Sequence, residues 1–419
     1  MDLPAVAQQY VLLGLRAGRL RDGLVESYLG PDALRRRVEA EPRPDPAALA
    51  RDAARLSCEI GGSTGPRADF LTAQLTALRC VLRRMDGVRP DFRTELRACF
   101  DLEHDVEPGE QDHYRAAHAE LERLLPAAGA PLAARMAVYR KREEIPPALI
   151  APAAQALSSA LRGLTRRITE LPDGEAVYYE FVTGRPWSGF AHHLGHGRSR
   201  VVVNLDAVGR GTQLAQLVAH EAYPGHHTER CRLDLARTEG LLPPERAIHL
   251  VDTPQCLVSE GLADLGLRAL PGPGWGRWVE SVLAQVGVRM DGELAERVER
   301  AMDALRPVRQ DAALLLHRDG SGQDEALAHL RRWLLVGEGR ARRTLRFLQH
   351  PLWRRYTTAY VEGYRLTSAW LDARPLGSPA AARFLRLTDE QWTPSGLRRE
   401  LTVGRSGTDE LAVNVAGDP

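Results

Sequence analysis

Residues 214–229 read LAQLVAHEAYPGHHTE, and their spacing decides what the rest of the chain must build. Leu214, Leu217, Val218 and Glu221 fall on one helical stripe, so a carboxylate stands on the face that should be buried. Burying a carboxylate is costly unless a charge or a metal compensates it. His220 precedes it. In an HExxH zinc motif the second histidine follows one helical turn later, so that both rings reach one ion. Here that position is Pro224, which cannot ligate. On an unbroken helix His226 would point about 120° away from His220, and His227 would return to the same face about 10.5 Å further along. Neither meets a zinc–nitrogen distance near ~2 Å without a break. Pro224-Gly225 is such a break, because proline loses the bond to the carbonyl of residue 220 and glycine permits unusual dihedrals. A short turn there brings His226 back toward His220. His226 is the expected second ligand, with His227 the alternative.

Six of the 13 histidines lie between 192 and 227: His192, His193, His196, His220, His226 and His227. Upstream of the motif, VYYEFV (177–182) and SRVVVNLD (199–206) are dense in β-branched and aromatic residues and read as two strands pairing antiparallel. GRPWSGFAHHLGHGR between them reads as a loop. Its histidines have three candidate uses: binding substrate, donating a proton, or forming a second metal site. Downstream, CLVSEGLADLG offers Glu260 as the leading third ligand, since Leu257, Leu262 and Leu265 argue for burial; a capping or solvent-facing glutamate is the alternative. Asp264 follows on the same face, where it would accept from a ligating imidazole and orient it.

Residues 1–170 read as a nearly all-helical lobe, interrupted at Gly30-Pro31, Pro42 to Pro46, Gly61 to Pro66 and Gly87 to Pro90. Residues 171–419 form the metal-binding region, expected to be one structural unit with the first. Long helical patterns run from residue 254 onward, with a break expected near His350-Pro351. The expected fold is mostly α, with a small antiparallel sheet beside the metal-binding helix.

Composition narrows the function. Among 419 residues, 56 basic side chains nearly cancel 55 acidic ones, leaving a formal charge of +1 and no global basic field for nucleic acid. Arg340, Arg342, Arg343, Arg354 and Arg355 are expected on solvated helical faces. No charge-free apolar run is long enough to span a bilayer, and the first residues lack the pattern of a signal peptide. No membrane partner and a cytoplasmic location are the expectations. Five widely spaced cysteines read as buried free thiols rather than a disulfide framework.

HEAYPGHH, followed by SEGLADLG and later by YTTAYVEGYRL, resembles the bacterial DUF885 family, which is distantly similar to zincin metallopeptidases of the neurolysin and M32 carboxypeptidase groups. The family pattern falls on His220 to His227, Glu260 to Ala263 and Tyr360 to Gly363, with Leu262 where tryptophan is common. The resemblance implies a helical zincin-like fold and a zinc ion (Zn2+) held by His220, His226 and Glu260. It also implies Glu221 as the base for a water and Tyr360 as a donor to the developing oxyanion. Tyr356 and Tyr364 fall on the same helix face, and Arg365 is a candidate for a substrate carboxylate. In zincin-like enzymes an edge strand pairs with extended substrate; VVVNLD, with Asn204 near its end, is the expected strand. The implied activity is zinc-dependent hydrolysis of peptide (amide) bonds in short peptides. Hydrolysis of a small specialised-metabolite amide, or metal-dependent binding without catalysis, are the alternatives.

Overall fold

The structure is a computed structural model that describes residues 2–402 except 127, 128, 186 and 376; the end of the expected metal-binding region, 403–419, lies outside the described residues. The first part contains α1 (Leu3–Gly18), β1 (Val25–Tyr28), α2 (Asp32–Glu39), α3 (Pro46–Ile60), α4 (Pro66–Met85), α5 (Phe92–Phe100), α6 (Gln111–Leu124), α7 (Leu132–Arg142) and α8 (Pro147–Thr165). The expected Pro/Gly breaks separate these helices, and capping side chains start several of them. Asp45 accepts from the amides of Ala47 and Ala48 ahead of α3, and Asp91 from that of Thr94 ahead of α5. β1 interrupts the all-helical expectation. Its antiparallel partner, β5 (Ile248–Leu250), lies far along the chain, so no local periodicity announces it.

A three-stranded sheet follows: β2 (Ala176–Val182), β3 (Gly189–Gly195) and β4 (Arg198–Asn204), in the order β2-β4-β3. Three expectations change here. VYYEFV and SRVVVNLD pair parallel, with Tyr179 opposite Val201, rather than antiparallel. The middle of the expected loop is β3, which pairs antiparallel with β4 and places Ala191 opposite Val201. The sheet is therefore mixed, and VVVN occupies its centre rather than an edge. A parallel partner needs a connection long enough to cross back, and here the intervening residues themselves form the third strand. Gly189 lets β3 lie on the following helix, since a Cβ there would stand 2.6 Å from Leu217 Cδ1.

The chain continues through α9 (Gly211–Glu221), α10 (His226–Thr238), a 3-10 turn (Pro244–Ala247), β5, α11 (Pro254–Asp264), α12 (Gly266–Ala269), α13 (Trp275–Ala284) and α14 (Gly292–Asp303). It ends in α15 (Pro307–His317), α16 (Gln323–Leu334), α17 (Glu338–Gln349), α18 (Tyr356–Asp372) and α19 (Ala380–Asp389). The break near His350-Pro351 falls between α17 and α18, as the sequence leads one to expect. The result is mostly helical with two small sheets.

Two apolar clusters flank the motif. The larger joins N-terminal helices to α11, α15, α16 and α18 through residues such as Leu75, Leu257, Leu262 and Leu366. The smaller packs α8, the three-stranded sheet, α9 and α13 through Leu157, Val201, Leu214, Val218 and Val279. α9 thus belongs to one cluster and α11 to the other, and the motif lies at their seam. Arg354 and Arg355 are not solvated. Arg355 is buried, donating from Nη1 to Glu95 Oε2 at 3.0 Å and from Nη2 to Asp252, and Arg354 pairs with Glu95. All five cysteines are free, and Cys58 is exposed rather than buried. No helix among the described residues is long and apolar enough to cross a membrane.

Candidate metal centre

The helical break works through backbone proximity. α9 ends at Glu221, and α10 restarts at His226. The amide of Gly225 donates to Ala219 O at 3.0 Å, folding the chain back against the end of α9. A Cβ on Gly225 would lie 1.9 Å from the His220 carbonyl oxygen and 2.6 Å from that of Ala219, so only glycine fits. This fold-back sets the imidazoles of His220 and His226 edge to face, with centroids 4.7 Å apart.

Glu260 enters from α11. Thr253 caps that helix by accepting from the Cys256 amide, and Pro254 occupies its first turn. Glu260 Oε2 lies 3.3 Å from His220 Nε2, and its Oε1 lies 3.4 Å from His226 Nε2. One donor atom from each of the three residues falls within 4.8 Å of the others, and all three residues are buried.

Each imidazole is held from behind, leaving Nε2 to face the cluster. His220 Nδ1 stands 2.9 Å from Asp264 Oδ1, the expected contact, and Asp264 Oδ2 accepts from Arg306 Nη1 at 2.7 Å. His226 Nδ1 lies 3.3 Å from Ser259 Oγ and 3.7 Å from Glu229 Oε2, with Ser259 donating to Glu229 at 2.6 Å. Tyr356 donates to Glu260 Oε1 at 2.6 Å. Ser259, Glu229, Tyr356 as a partner of Glu260, and Arg306 are absent from the sequence reading. The i,i+3 spacing of His226 and Glu229 was a usable signal, whereas Arg306 is brought in by tertiary packing alone.

His227 goes elsewhere. Its Nδ1 lies 2.8 Å from Ser199 Oγ and its Nε2 3.1 Å from Glu175 Oε2. Glu175 also accepts from Arg166 Nη2 at 3.0 Å, from Arg162 and from the Tyr223 hydroxyl. The β3 histidines are likewise dispersed. His193 Nε2 pairs with Asp234 Oδ2 at 2.9 Å, His192 packs on Phe190, and His196 sits in the turn after β3 with φ of 52°. Asn204 is buried, donating 2.8 Å hydrogen bonds to the carbonyls of Arg185 and Trp187. Arg365 is at the surface, paired with Glu362 at 2.6 Å.

Two residues at the site carry no hydrogen bond or ion pair among the described residues. Glu221 is buried beside His220, and burial raises its carboxyl above the ordinary value despite both imidazoles. Tyr360, partly exposed on α18, places its ring 6.1 Å from that of His220 and leaves its hydroxyl without a partner. Tyr364 is taken by Asp303, 3.1 Å from its hydroxyl.

This donor set fits a divalent cation. Glu260 Oε2 is buried and has no hydrogen-bond donor, although His220 Nε2 is close; the two atoms approach without hydrogen-bond alignment. Two imidazole nitrogens and a carboxylate oxygen are the donor types zinc takes at three protein positions. The surroundings are anionic as well. Burial lowers the pKa of His220, but the hydrogen bond with Asp264 and the adjacent Glu260 carboxylate outweigh it and raise the ring to about 10. Burial raises Glu260, yet His226 and His220 hold it well below the usual carboxylate range.

No family model matches the chain, and no curated protein matches it. Among solved structures, it is similar to a "putative lipoprotein" of Colwellia psychrerythraea, at a TM-score of 0.50 and 13% identity, covering 84% of this chain. The chain spans 66% of that protein, just under two thirds of its length. It is also similar to an M32 carboxypeptidase of Deinococcus radiodurans R1, at a TM-score of 0.39 and 15% identity, covering 94% of this chain and 93% of that one. The likeness to the first of these, at a TM-score of 0.50, shows a distantly shared helical fold, and membership of the DUF885 family is not shown.

Proposed function

We propose that the protein is a zinc-dependent hydrolase of amide bonds with a zincin-like arrangement, acting on short peptides. The observation that supports this best is the convergence of His220, His226 and Glu260 beside a buried, uncommitted Glu221. His220 Nε2, His226 Nε2 and a Glu260 oxygen would hold the ion. A zinc ion bound there supplies Lewis-acid polarisation of a water and of a substrate carbonyl.

The chain's own residues do the rest. Asp264 fixes the His220 ring through Nδ1, and Ser259 with Glu229 fixes His226. Tyr356 orients the Glu260 carboxylate. A Glu221 carboxylate oxygen takes a proton from the attacking water and delivers it to the leaving amine nitrogen; its raised affinity for protons suits both steps. The Tyr360 hydroxyl donates to the oxygen on which negative charge develops. With VVVN at the centre of its sheet, the edge strand packed on α9 is β3.

The test is a panel of short peptides and small amides assayed with the zinc-loaded wild type and Glu221→Gln. The proposal expects turnover that the variant loses while keeping its metal. Stepwise shortening of peptides marks a peptidase, and cleavage of small amides alone marks a metabolite amidohydrolase. Metal retention with no hydrolysis by the wild type marks a binding protein.

A further inference from the structure

β1 is irregular where it pairs with β5. Val25 stands opposite Leu250 and Ser27 opposite His249, so Glu26 is the extra residue of a bulge. Successive side chains of a regular strand point to opposite faces. The bulge breaks that alternation, and the neighbours Glu26 and Ser27 both line one small cavity. Its volume of about 10 Å³ has room for a single water-sized group.

The cavity shares a wall with the metal cluster, because His226 lines it. Ala191 and His193 set it against β3, the edge strand beside which an extended substrate would lie. Most polar groups in the wall are already engaged. His193 holds Asp234 at 2.9 Å, His227 holds Glu175 at 3.1 Å, and Ser199 Oγ lies 2.8 Å from His227 Nδ1. His226 has Nδ1 near Ser259 and turns Nε2 to Glu260.

Glu26 is half-engaged. Its Oε1 accepts from Nη2 of the buried Arg230 at 3.1 Å. Its Oε2 accepts no hydrogen bond among the described residues; His249 Nε2 lies 3.5 Å away without hydrogen-bond alignment. Burial pushes His249 down to about 4, so that ring brings no charge to the carboxylate. The Ser27 hydroxyl is likewise without a hydrogen bond among the described residues. A carboxylate has about four acceptor positions, and only one of these is filled.

We infer that Glu26 and Ser27 receive the terminal ammonium of the substrate, so that the protein hydrolyses short peptides from their amino end. An ammonium is water-sized, carries three N–H donors and meets here a free carboxylate oxygen and a hydroxyl one wall away from the metal cluster. Calling the amine part of a substrate rests on the hydrolase reading; its capture does not.

Calorimetric titration compares trialanine amide with its N-acetyl derivative. The full chain is used both stripped of metal by a chelator and as the zinc-loaded Glu221→Gln variant. The free amine should bind roughly 10–100-fold more tightly in both, the contribution of one charge-assisted pair. Acetyl-lysine amide, whose ammonium sits on a side chain, should bind no better than the blocked peptide. Glu26→Gln should bring free and blocked peptides within about threefold of each other, Glu26→Asp should recover part of the preference, and Ser27→Ala should weaken the free amine roughly fivefold. Glu26→Gln also takes a partner from buried Arg230; the wild-type comparison and Ser27→Ala decide the matter if that variant does not fold. Equal binding of free and blocked peptides would mean that the cavity holds water only and would overturn the inference. Full preference in Glu26→Gln, or acetyl-lysine amide binding as tightly as trialanine amide, would overturn it as well. Amine preference that depends on Glu26, in protein that hydrolyses neither peptide when loaded with zinc, would keep the amine site and reject the hydrolase reading. Hydrolysis of free and blocked peptides at equal rates would keep the hydrolase and reject the amine site.

Discussion

Gly261 and Gly363 bring α11 and α18 into backbone contact: a Cβ on Gly363 would stand 2.3 Å from Leu257 O, and one on Gly261 would stand 2.4 Å from the Gly363 carbonyl. This crossing brings the SEGLAD and YVEG segments together. It sets Glu260, next to Gly261, against Tyr356 and Tyr360, which lie within two turns before Gly363. Gly363→Ala must push two helices apart at a point with no flexible side chain to yield. A loss of about 3 kcal/mol or more is expected in denaturant unfolding, together with weaker metal uptake. Wild-type stability would show that the helices do not cross this closely.

Gly225→Ala probes the α9–α10 turn. Its Cβ would collide with the carbonyl of His220 itself, so the fold-back that returns His226 to His220 has to open. Metal content per chain should fall sharply while far-ultraviolet circular dichroism stays helical. Full metal content would mean that His226 reaches the ion by another route.

Glu221→Gln keeps the shape of the site and removes the proton acceptor. Turnover should fall about 10²–10⁴-fold, the usual contribution of a general base, with metal content unchanged. Undiminished turnover would assign the proton transfer to another group.

Asp264→Asn tests the support of His220. Removing the carboxylate from Nδ1 weakens the ligand by changing its charge and orientation, and metal affinity should drop about 10–100-fold. Competition with a chelator measures this directly, and unchanged affinity would make the Asp264 contact irrelevant to the ion.

Acid stability should depend on Glu175. Burial favours its neutral form, but hydrogen bonds from His227, Tyr223, Arg162 and Arg166 prevail and lower it to about 2 from the ordinary 4.5. A depressed carboxyl stabilises the fold above its unfolded value, and that contribution disappears as pH falls through the folded value. Wild type should therefore lose stability between about pH 4.5 and pH 2, whereas Glu175→Gln should be weaker at neutral pH and flatter across that window. Equal slopes in pH-resolved melts would contradict this assignment.

Much of this arrangement was legible in residues 214–229, because a carboxylate on an apolar stripe and a Pro-Gly break are local features. The pairing of Asp264 with His220 was readable from its one-turn offset from Glu260. β3 was not, since GFAHHLG lacks the β-branched density that marks strands, and it is held by β4 rather than by its own propensity. The direction of the β2–β4 pairing depends on where β3 inserts, a tertiary fact. Arg340 and Arg355 illustrate the same limit. Both look like surface charge in sequence, yet one is half-buried with no partner for its guanidinium among the described residues and the other is enclosed by Glu95 and Asp252.

The central claim is that His220, His226 and Glu260 hold one divalent ion. Crystals of zinc-loaded protein measured on both sides of the zinc absorption edge test it most directly. The account predicts one strong anomalous peak about 2 Å from His220 Nε2, His226 Nε2 and a Glu260 oxygen, with His227 turned to Glu175. A fully loaded crystal with no peak there, or with its peak at His227, would contradict it.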